Sequence, residues 1–367
     1  MKVAHLDTGR TWRGGQNQVL LLARGLAARG VQVRVLAPEG PLLERARAAG
    51  IAVERWNARG EWDLAAGWAA RAALARFAPD VAHLHSAHAH ALGLPAARAA
   101  RVPVVVVSRR VDFAVGGNAF SRMKYGWPVD AYLCISRGVM AAMRHGGVPE
   151  AKLRLVPSGV PAPALPAPRD DLFAALGIPA SAPVVGTVAA LAPHKDHADL
   201  MRAARRVVDA RPEVRFVWLG EGECRPALER LRRELGLEAV VHMPGFRDDA
   251  LAFVPRFTVF ALASWLEGLG TALLDAQWLG VPVVATAVGG IPDVVEDGVS
   301  GRLVPPRDPE ALARALLDAL AHPERRAAWA ARARERVAAF SADAMVDRTL
   351  AVYEELLIRR TAHAPLH

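Results

Sequence analysis

The sequence predicts an α/β protein with two doubly wound domains, each built around a parallel β-sheet with helices on both faces. Short β-branched runs alternate with longer Ala-, Leu- and Arg-rich segments at helical spacing, and this alternation occurs twice along the 367 residues. The runs are apolar on both faces, which is typical of strands in a covered parallel sheet. Apolar residues make up 52% of the chain, so a disordered or fibrous protein is excluded and a sizeable core is expected.

The first half contains predicted strands over residues 3–6, 31–36, 81–84, 104–107, 131–135 and 153–156. The second half contains predicted strands over residues 184–188, 215–219, 240–243, 259–262 and 283–286. Helical spacing occupies the segments between them, among others residues 16–29, 63–77, 196–210 and 224–235, and most of 308–360. Ligands of open α/β sheets bind beyond the carboxyl ends of the strands, so we expect a site in a cleft between two facing domains.

Proline marks the boundary between the domains. Five prolines fall within residues 156–168, and proline continues neither a sheet nor a helix interior, so a semi-rigid linker is expected there. The predicted organisation is a Rossmann-like domain over residues 1–160, a linker over 161–170, a second Rossmann-like domain over 171–340 and a carboxyl-terminal helix within 341–367.

Composition and charge exclude several classes of protein. Two distant cysteines provide neither a disulfide framework nor a metal cluster, and no run of about 18 apolar residues lacks a charge, so no spanning helix is predicted. Asp7 comes too early for a signal peptide, so we expect a cytoplasmic protein. Residues 1–165 hold 22 Lys and Arg against 10 Asp and Glu, whereas the rest is slightly acidic. The dispersed arginines form no recognition motif, so nucleic acid is not an expected partner.

Two loops of the first half suit an anionic ligand. Gly14 and Gly15, before Gln16, open a predicted helix and expose backbone N–H groups to an anion, with an ordinary tight turn as an equal alternative. Arg109 and Arg110 follow the fifth strand, where guanidinium groups bind phosphate or carboxylate, or are simply solvated.

Four histidines follow the fourth strand, namely His83, His85, His88 and His90. Zinc requires a closed tetrahedral set, which this spacing does not provide, so no metal site is predicted. Contact of one or two of them with the ligand is favoured, with His85 and His88 as the candidates. Solvated or satisfied loop histidines are the alternative.

Basic and aromatic residues are interleaved soon after the fifth strand. They are Arg122, Lys124, Tyr125 and Trp127. Such a stretch suits an anionic lipid surface or an acidic acceptor, although plain protein surface is the commoner explanation.

The strongest functional signal lies in residues 264–276. A helix is predicted to start within residues 268–271, and free N–H groups at such a start suit a diphosphate. The candidate binding residues are Gly268, Leu269, Gly270 and Thr271. Glu267 lies just before this helix, and Asp275 lies one turn beyond Thr271 on the same face. A carboxylate accepts two hydroxyl hydrogen bonds at once, as the vicinal diols of a sugar require. The segment therefore predicts a nucleotide-sugar site, with a helix cap and a surface charge as the alternative.

Three further loops of the second half fit the same ligand. Lys195 follows a strand at the start of a predicted helix and adds a positive charge there. The loop of Gly245, Phe246 and Arg247 is expected to bring backbone groups and an aromatic ring near a nucleotide base. Gly289 and Gly290 form a second backbone nest for an anion.

Taken in this order, the loops resemble the donor domain of glycosyltransferase family 4, a family of retaining, nucleotide-sugar-dependent enzymes. The resemblance covers nearly the whole chain. The family's signature of a Glu and a second acid eight positions on matches Glu267 and Asp275, and Lys195 matches the lysine that faces the diphosphate. Residues 289–293 and 297–304 are also similar, and the loop that ends at Gln16 resembles the family's glycine loop.

The resemblance implies the two-domain GT-B fold, with a helix near 341–359 that crosses back to the first domain. It also implies that Glu267 contacts a donor-sugar hydroxyl and that Asp275 contacts the ribose. The chain departs from the family in three places: the second acid is Asp, Ala190 replaces a frequent basic residue, and Ser108-Arg109-Arg110 replaces a histidine that follows the fifth strand. Neutralisation of the diphosphate charge is then expected to depend more on Lys195, or on Arg109 and Arg110.

The expected reaction is retaining transfer of a sugar from a nucleoside diphosphate sugar to a hydroxyl acceptor, in the synthesis of a cell-envelope glycan or glycolipid. The donor is a co-substrate; no cofactor and no metal are expected, in line with the absence of an Asp-x-Asp motif. The basic first half favours an anionic or lipid-linked acceptor and peripheral contact with the inner membrane face. The alternatives are a nucleotide-sugar epimerase on the same fold and a non-catalytic two-lobed ligand-binding protein.

Overall fold

The computed structural model describes residues 1–110, 125–161 and 170–362. Contacts between residues divide the chain into two units. Unit 1 comprises residues 1–159 and the segment from residue 341 onward, and unit 2 comprises residues 160–340. The predicted linker lies outside the described residues except at its two ends, and so do Arg122 and Lys124 of the basic and aromatic stretch.

Unit 1 contains a seven-stranded parallel sheet in the order β3-β2-β1-β4-β5-β6-β7. The strands are β1 (Lys2–Leu6), β2 (Gln32–Ala37), β3 (Ala52–Arg55), β4 (Val81–Leu84), β5 (Val104–Arg109), β6 (Ala131–Cys134) and β7 (Leu153–Leu155). The helices are α1 (Gly14–Ala28), α2 (Pro41–Ala48), α3 (Leu64–Phe77), α4 (Ala87–Ala99) and α5 (Arg137–His145), with a further helix after residue 341. The strand order reverses between β1 and β4, which is where ligands of such sheets bind.

Unit 2 contains a six-stranded parallel sheet in the order β10-β9-β8-β11-β12-β13. The strands are β8 (Val184–Val188), β9 (Arg215–Leu219), β10 (Val241–Gly245), β11 (Val259–Leu262), β12 (Val283–Thr286) and β13 (Arg302–Val304). The helices are α6 (Asp170–Ala174), α7 (His197–Ala210), α8 (Arg225–Glu234), α9 (Thr271–Trp278), α10 (Ile291–Val294), α11 (Pro309–Ala321) and α12 (Pro323–Val337). Here the order reverses between β8 and β11.

The last described helix, α13 (Ala342–Ala362), packs on α1 within unit 1. Gly25 makes the close approach feasible, because a Cβ atom at this position would lie 2.4 Å from the side chain of Val346. Arg29 pairs with Asp343 at 3.1 Å and with Asp347 at 2.7 Å. The buried face of α13 therefore completes the core of unit 1.

The two parallel sheets confirm the predicted α/β fold class, and the central strands lie within about two residues of their predicted bounds. Two strands, β3 and β13, were not predicted. Both lie at a sheet edge, both are short, and neither is buried throughout. They therefore lack the continuous apolar run that marks the central strands. No helix in the described parts of the chain is long and apolar enough to cross a membrane.

Backbone hydrogen bonds join the loops at the carboxyl edge of the unit 2 sheet. The N–H of Ala189 donates to the carbonyl of Leu219 at 3.0 Å, and the N–H of Gly220 donates to the carbonyl of Gly245 at 2.9 Å. Gly220 has a φ of +146°, and a Cβ atom there would lie 1.9 Å from the carbonyl oxygen of Ala189. Only glycine permits this approach.

Gly220→Ala is expected to lower the free energy of unfolding by roughly 3 kcal/mol, because a methyl group would force the two loops apart. Gly236→Ala is the matched control: its φ of +63° is also positive, but nothing lies within 4 Å of the added Cβ. The control should lose only about 1 kcal/mol. Urea unfolding of both variants measures the difference, and equal losses would contradict the steric argument.

Candidate functional site

The centre of the candidate site in unit 2 is an ion pair between Lys195 and Glu267. The ammonium group donates to Glu267 Oε2, and the two side chains are only 17% and 13% exposed. Ser264 Oγ donates to the same carboxylate oxygen at 3.1 Å. Lys195 follows β8 and Glu267 follows β11, so the pair lies where the strand order of unit 2 reverses.

Trp265 fastens the Lys195 turn to the Glu267 loop. Its backbone N–H donates to the carbonyl of His194 at 3.0 Å, and its indole Nε1 donates to the carbonyl of Pro193 at 3.0 Å. On the other side, the N–H of Gly290 donates to the carbonyl of Glu267 at 3.2 Å. That N–H group therefore supports the Glu267 loop, although the sequence predicted it to bind an anion. These bonds hold the two charged side chains in register.

The start of α9 lies directly after Glu267. Gly270 precedes the helix with a φ of +80°, and no side chain caps the helix start. The first turn holds no acidic residue, so its N–H groups and the helix dipole favour an anion there. Gly268 is partly exposed and Leu269 is buried, which anchors the loop to the core.

Asp275 lies one turn beyond Thr271 on α9, as the sequence predicted. Burial raises the pKa of its carboxyl group from 3.8 to about 7. No described side chain forms a hydrogen bond or an ion pair with this carboxyl group. The acid is therefore partly shielded from water and has no described side-chain partner, which is typical of groups that bind a ligand.

The remaining candidates of unit 2 surround the same edge of the sheet. Gly245 ends β10 with a φ of +93°, and the ring of Phe246 beside it is 69% exposed. Arg247 pairs with Asp249 at 2.7 Å and lies over the ring of Phe253. Gly289 has a φ of +52° in the turn before α10. Phe246 is thus exposed enough to stack on a base, whereas Arg247 already has an internal partner.

In unit 1, the loop between β1 and α1 folds around Asp7. This side chain is 1% exposed, and its Oδ1 accepts from the Gly9 N–H at 2.6 Å and from Gln16 Nε2 at 3.1 Å. Gln16 is thus an internal support of the loop. Gly14 and Gly15 begin α1, and added Cβ atoms there would have no neighbour within 4 Å. Their N–H groups lie at an open helix start.

A cluster of buried histidines fills the same edge of the unit 1 sheet. His5, His83 and His85 have ligating nitrogens within 4.8 Å of one another. His5 Nδ1 lies 2.9 Å from His85 Nε2, and the nitrogens of His83 lie 2.5 Å from Tyr353 Oη and 2.7 Å from Ser108 Oγ. These hydrogen bonds, and one from Arg110 to His85, use both nitrogens of His83 and of His85. The group is therefore a hydrogen-bonded network inside the protein.

Burial is the main cause of the low pKa values in this cluster. It lowers the pKa of His5 from 6.5 to about 3, and it lowers the pKa of His83 and of His85 well below 6.5. The mutual proximity of the histidines and the charge of Arg110 are further causes. All three rings are neutral at pH 7. His88 instead lies exposed in the first turn of α4, and His90 is buried against the rings of Tyr125 and Tyr132.

Sequence reasoning missed several residues of these networks, among them His5, Asp7, Ser264 and Tyr353. His5 could have been found, because it lies directly beside His83 where β1 and β4 pair in parallel. Tyr353 could not, because its contact joins residues 270 positions apart. Ser264 begins the segment 264–276, but only its spacing of three residues from Glu267 indicated a contact with that acid.

Taken together, unit 2 presents one cation, an uncapped helix start and two acids at one edge of its sheet. A diphosphate fits the first two by charge and by hydrogen bonding, and sugar hydroxyls fit the two acids.

We expect Asp275→Asn to stabilise the protein at alkaline pH. The folded-state pKa of Asp275 lies above its unfolded value of 3.8, so the cost of burying the carboxylate is absent near pH 4 and complete above about pH 7. The variant should gain roughly 1–3 kcal/mol at about pH 8 and little at about pH 4. Urea unfolding at both pH values tests this, with the exposed Asp248→Asn as the control. A gain of equal size at both pH values would contradict it.

Unit 1 should lose stability in acid. His5, His83 and His85 have folded-state pKa values below the unfolded value of 6.5, so the unfolded chain binds protons first as the pH falls. Between pH 7 and about pH 5, each contributes a loss of up to roughly 2 kcal/mol. Hydrogen exchange of peptides from β1 and β4 should therefore accelerate more than that of β8 and β11. Uniform acceleration across both units would refute this expectation.

Two known families match the chain. Residues 12–162 match the family described as Glycosyltransferase Family 4, and residues 168–336 match the family described as Glycosyl transferases group 1. The first match lies in unit 1 almost entirely, and the second lies in unit 2.

Curated relatives include the D-inositol 3-phosphate glycosyltransferase of Saccharomonospora viridis, which is 36% identical over 203 residues, 52% of this chain and 47% of that protein. The lipopolysaccharide core biosynthesis glycosyltransferase LpsE of Rhizobium meliloti is 34% identical over 178 residues, 48% of this chain and 51% of that protein. The chain thus spans about half the length of these relatives.

Solved structures share the fold over nearly the whole chain. HepE of Anabaena, in complex with UDP, has a TM-score of 0.85 at 20% identity and covers 97% of this chain and 100% of its own. Sucrose-phosphate synthase of Thermosynechococcus elongatus has a TM-score of 0.80 at 21% identity and covers 98% and 99%.

These findings do not favour the epimerase or the non-catalytic alternative, because the named relatives are transferases. Both family matches indicate a glycosyltransferase, and the two parallel sheets and the structural neighbours indicate the same two-domain fold. The chain belongs to the family 4 glycosyltransferases of the GT-B fold.

Proposed function

We propose that this protein transfers a sugar from a nucleoside diphosphate sugar to a hydroxyl acceptor with retention of anomeric configuration. The observation that carries the proposal is the ion pair of Lys195 and Glu267 at the uncapped start of α9, with Asp275 one turn further along. HepE was crystallised in complex with UDP-glucose, which supports a donor of this class.

Binding of the donor requires Lys195 and Glu267 to exchange partners. The diphosphate takes over the ammonium group of Lys195 and the N–H groups of the first turn of α9. The carboxylate of Glu267 then accepts a hydrogen bond from a hydroxyl of the donor sugar. The ion pair thus keeps each charge compensated until a ligand with both an anion and a hydroxyl replaces it.

The transfer itself needs no nucleophile from the protein. The acceptor oxygen forms a bond to the anomeric carbon on the face that the diphosphate leaves, and the bond from that carbon to the diphosphate oxygen breaks. The acceptor proton moves to the departing diphosphate oxygen. Lys195 and the N–H groups of α9 stabilise the negative charge that develops there.

Asp275 is proposed to hold the ribose of the nucleotide. Its carboxylate accepts two hydroxyl hydrogen bonds, which compensate for the solvation that the acid has lost. Because burial raises its pKa to about 7, nucleotide affinity should increase as the pH rises through that value.

The acceptor is proposed to be anionic or lipid-linked, with synthesis of a cell-envelope glycan as the setting. Two observations support this: residues 1–165 carry 22 basic against 10 acidic residues, and relatives include a lipopolysaccharide core enzyme and a mannosyltransferase of a phosphatidylinositol monomannoside. We also propose a cytoplasmic location with contact to the inner membrane face, for which the same positive charge is the support. Neither a cofactor nor a metal is part of this proposal.

Donor binding and transfer are tested with UDP, GDP, ADP, dTDP and CDP and their sugars. We expect one nucleotide to raise the unfolding temperature, and its sugar to be consumed slowly by hydrolysis even without an acceptor. Glu267→Gln and Lys195→Ala should lower the rate of sugar release at least about a hundredfold, because charge stabilisation in the transition state is lost. Asp275→Asn should weaken the nucleotide about tenfold and abolish the rise in affinity across pH 7.

Glu238→Gln, an exposed acid of unit 2, is the control and should behave as wild type. A protein that binds no nucleotide, or that keeps its rate in both Glu267→Gln and Lys195→Ala, would refute the proposal.

A further inference from the structure

Arg110 is a partly buried residue of unit 1 whose guanidinium has no carboxylate partner among the described residues. It follows β5, and its Nη2 lies 3.2 Å from Nδ1 of His85. Its Nε is buried without a hydrogen-bond partner. Among the residues that the structure describes, none forms an ion pair with it, and the acid that influences it most is Asp7, beyond ion-pair distance.

Removing an unpaired cation from water costs free energy, and this is visible in the pKa of Arg110. Burial lowers the pKa of Arg110 from 12.5 to about 10, with Asp7 and Tyr353 acting in the opposite direction. The group still carries its charge at pH 7. Buried charges in proteins are normally paired or bind a ligand, so an arginine kept in this state indicates an external counter-charge.

The histidines hold this arginine in one direction. Nη2 of Arg110 donates to Nδ1 of His85, so the proton of His85 lies on Nε2. That N–H then donates to Nδ1 of His5 at 2.9 Å. All of these rings are neutral, so they orient the guanidinium without compensating its charge.

Two helix starts at the same sheet edge add positive potential near Arg110, against the negative charge of Asp7. Asp7 uses one oxygen to hold Gly9 and Gln16, the latter in the first turn of α1. The side chain of Thr8 lies 2.6 Å from that of Ser86, the residue that caps α4. Both helices therefore start at this edge, and the first turn of neither contains an acid.

We propose that Arg110 binds a substrate oxyanion, a phosphate or carboxylate group, at the carboxyl edge of the unit 1 sheet. The inference rests on the proposed function, because it assigns the anion to a substrate of the transfer. Two sources have this chemistry: an anionic group on the acceptor, and the diphosphate of the donor. His85 and His5 are positioning residues for the guanidinium.

The neighbouring Arg109 provides a matched comparison. It carries the same side chain one position earlier, but its Nη1 donates to Tyr125 Oη at 2.8 Å. Loss of Arg109 removes a guanidinium with an internal partner, whereas loss of Arg110 removes one that forms no ion pair with any described residue.

The test compares wild type, Arg110→Gln, Arg110→Lys and Arg109→Gln. Inorganic phosphate is titrated at constant ionic strength, with chloride as the replacement salt, and the unfolding temperature is followed. Wild type and Arg109→Gln should be stabilised by phosphate, whereas Arg110→Gln should bind it at least about tenfold more weakly and Arg110→Lys should lie between them. Without phosphate, Arg110→Gln should unfold at the wild-type temperature or above it, because a buried unpaired charge is gone.

The source of the anion is identified with UDP. Unchanged UDP affinity in Arg110→Gln assigns the oxyanion to the acceptor, and weakened UDP affinity assigns it to the donor diphosphate. The inference is overturned if phosphate stabilises no variant, or if it stabilises Arg110→Gln as much as wild type. It is also overturned if Arg110→Gln unfolds at a lower temperature, which would mark a structural arginine. Binding of UDP that depends on Asp275 stays intact in each of these cases, so the proposed function is judged separately.

Discussion

The candidate site depends on the ion pair between Lys195 and Glu267. Both side chains are largely removed from water, so either charge alone would be costly, and together they form a stable resting arrangement. The pair exists because β8 and β11 are neighbours in the sheet although 70 residues lie between them in the chain, and because Trp265 connects the two loops. A ligand that displaces this contact has to offer an anion and a hydrogen-bond donor at once. Neither water nor a simple salt does that well, and a sugar diphosphate does.

The two units have different side chains at the point where the strand order of each sheet reverses. In unit 2 the point where the strand order reverses contains opposite charges in contact. In unit 1 the equivalent point contains neutral histidines around one cation, with Asp7 engaged in holding a loop. The two sheet edges therefore differ in local charge: a compensated ion pair in unit 2 and a cation among neutral rings in unit 1. The net charges of the two halves of the chain do not reveal this difference.

The fold class could be predicted because strands buried on both faces form continuous apolar runs, as in β4, β8 and β12. The strands β3 and β13 escaped prediction because an edge strand needs only a few residues that contact the core. In the site, Glu267, Asp275 and Lys195 could be located from their spacing to glycines and helix starts. Two properties of these residues could not be predicted. The contact of Lys195 with Glu267 depends on strand order, and the raised pKa of Asp275 depends on packing around α9.

The position of α13 has a consequence for biosynthesis. Unit 2 is continuous in sequence, so all of its strands and helices are present once residue 340 has left the ribosome. Unit 1 is interrupted, because its core includes Met345, Val346 and Tyr353 from the far end of the chain. The half that is made first must therefore wait, with the outer surface of α1 uncovered, while the second half is translated and folds. During that interval, the nascent amino-terminal half exposes an apolar surface that chaperones recognise.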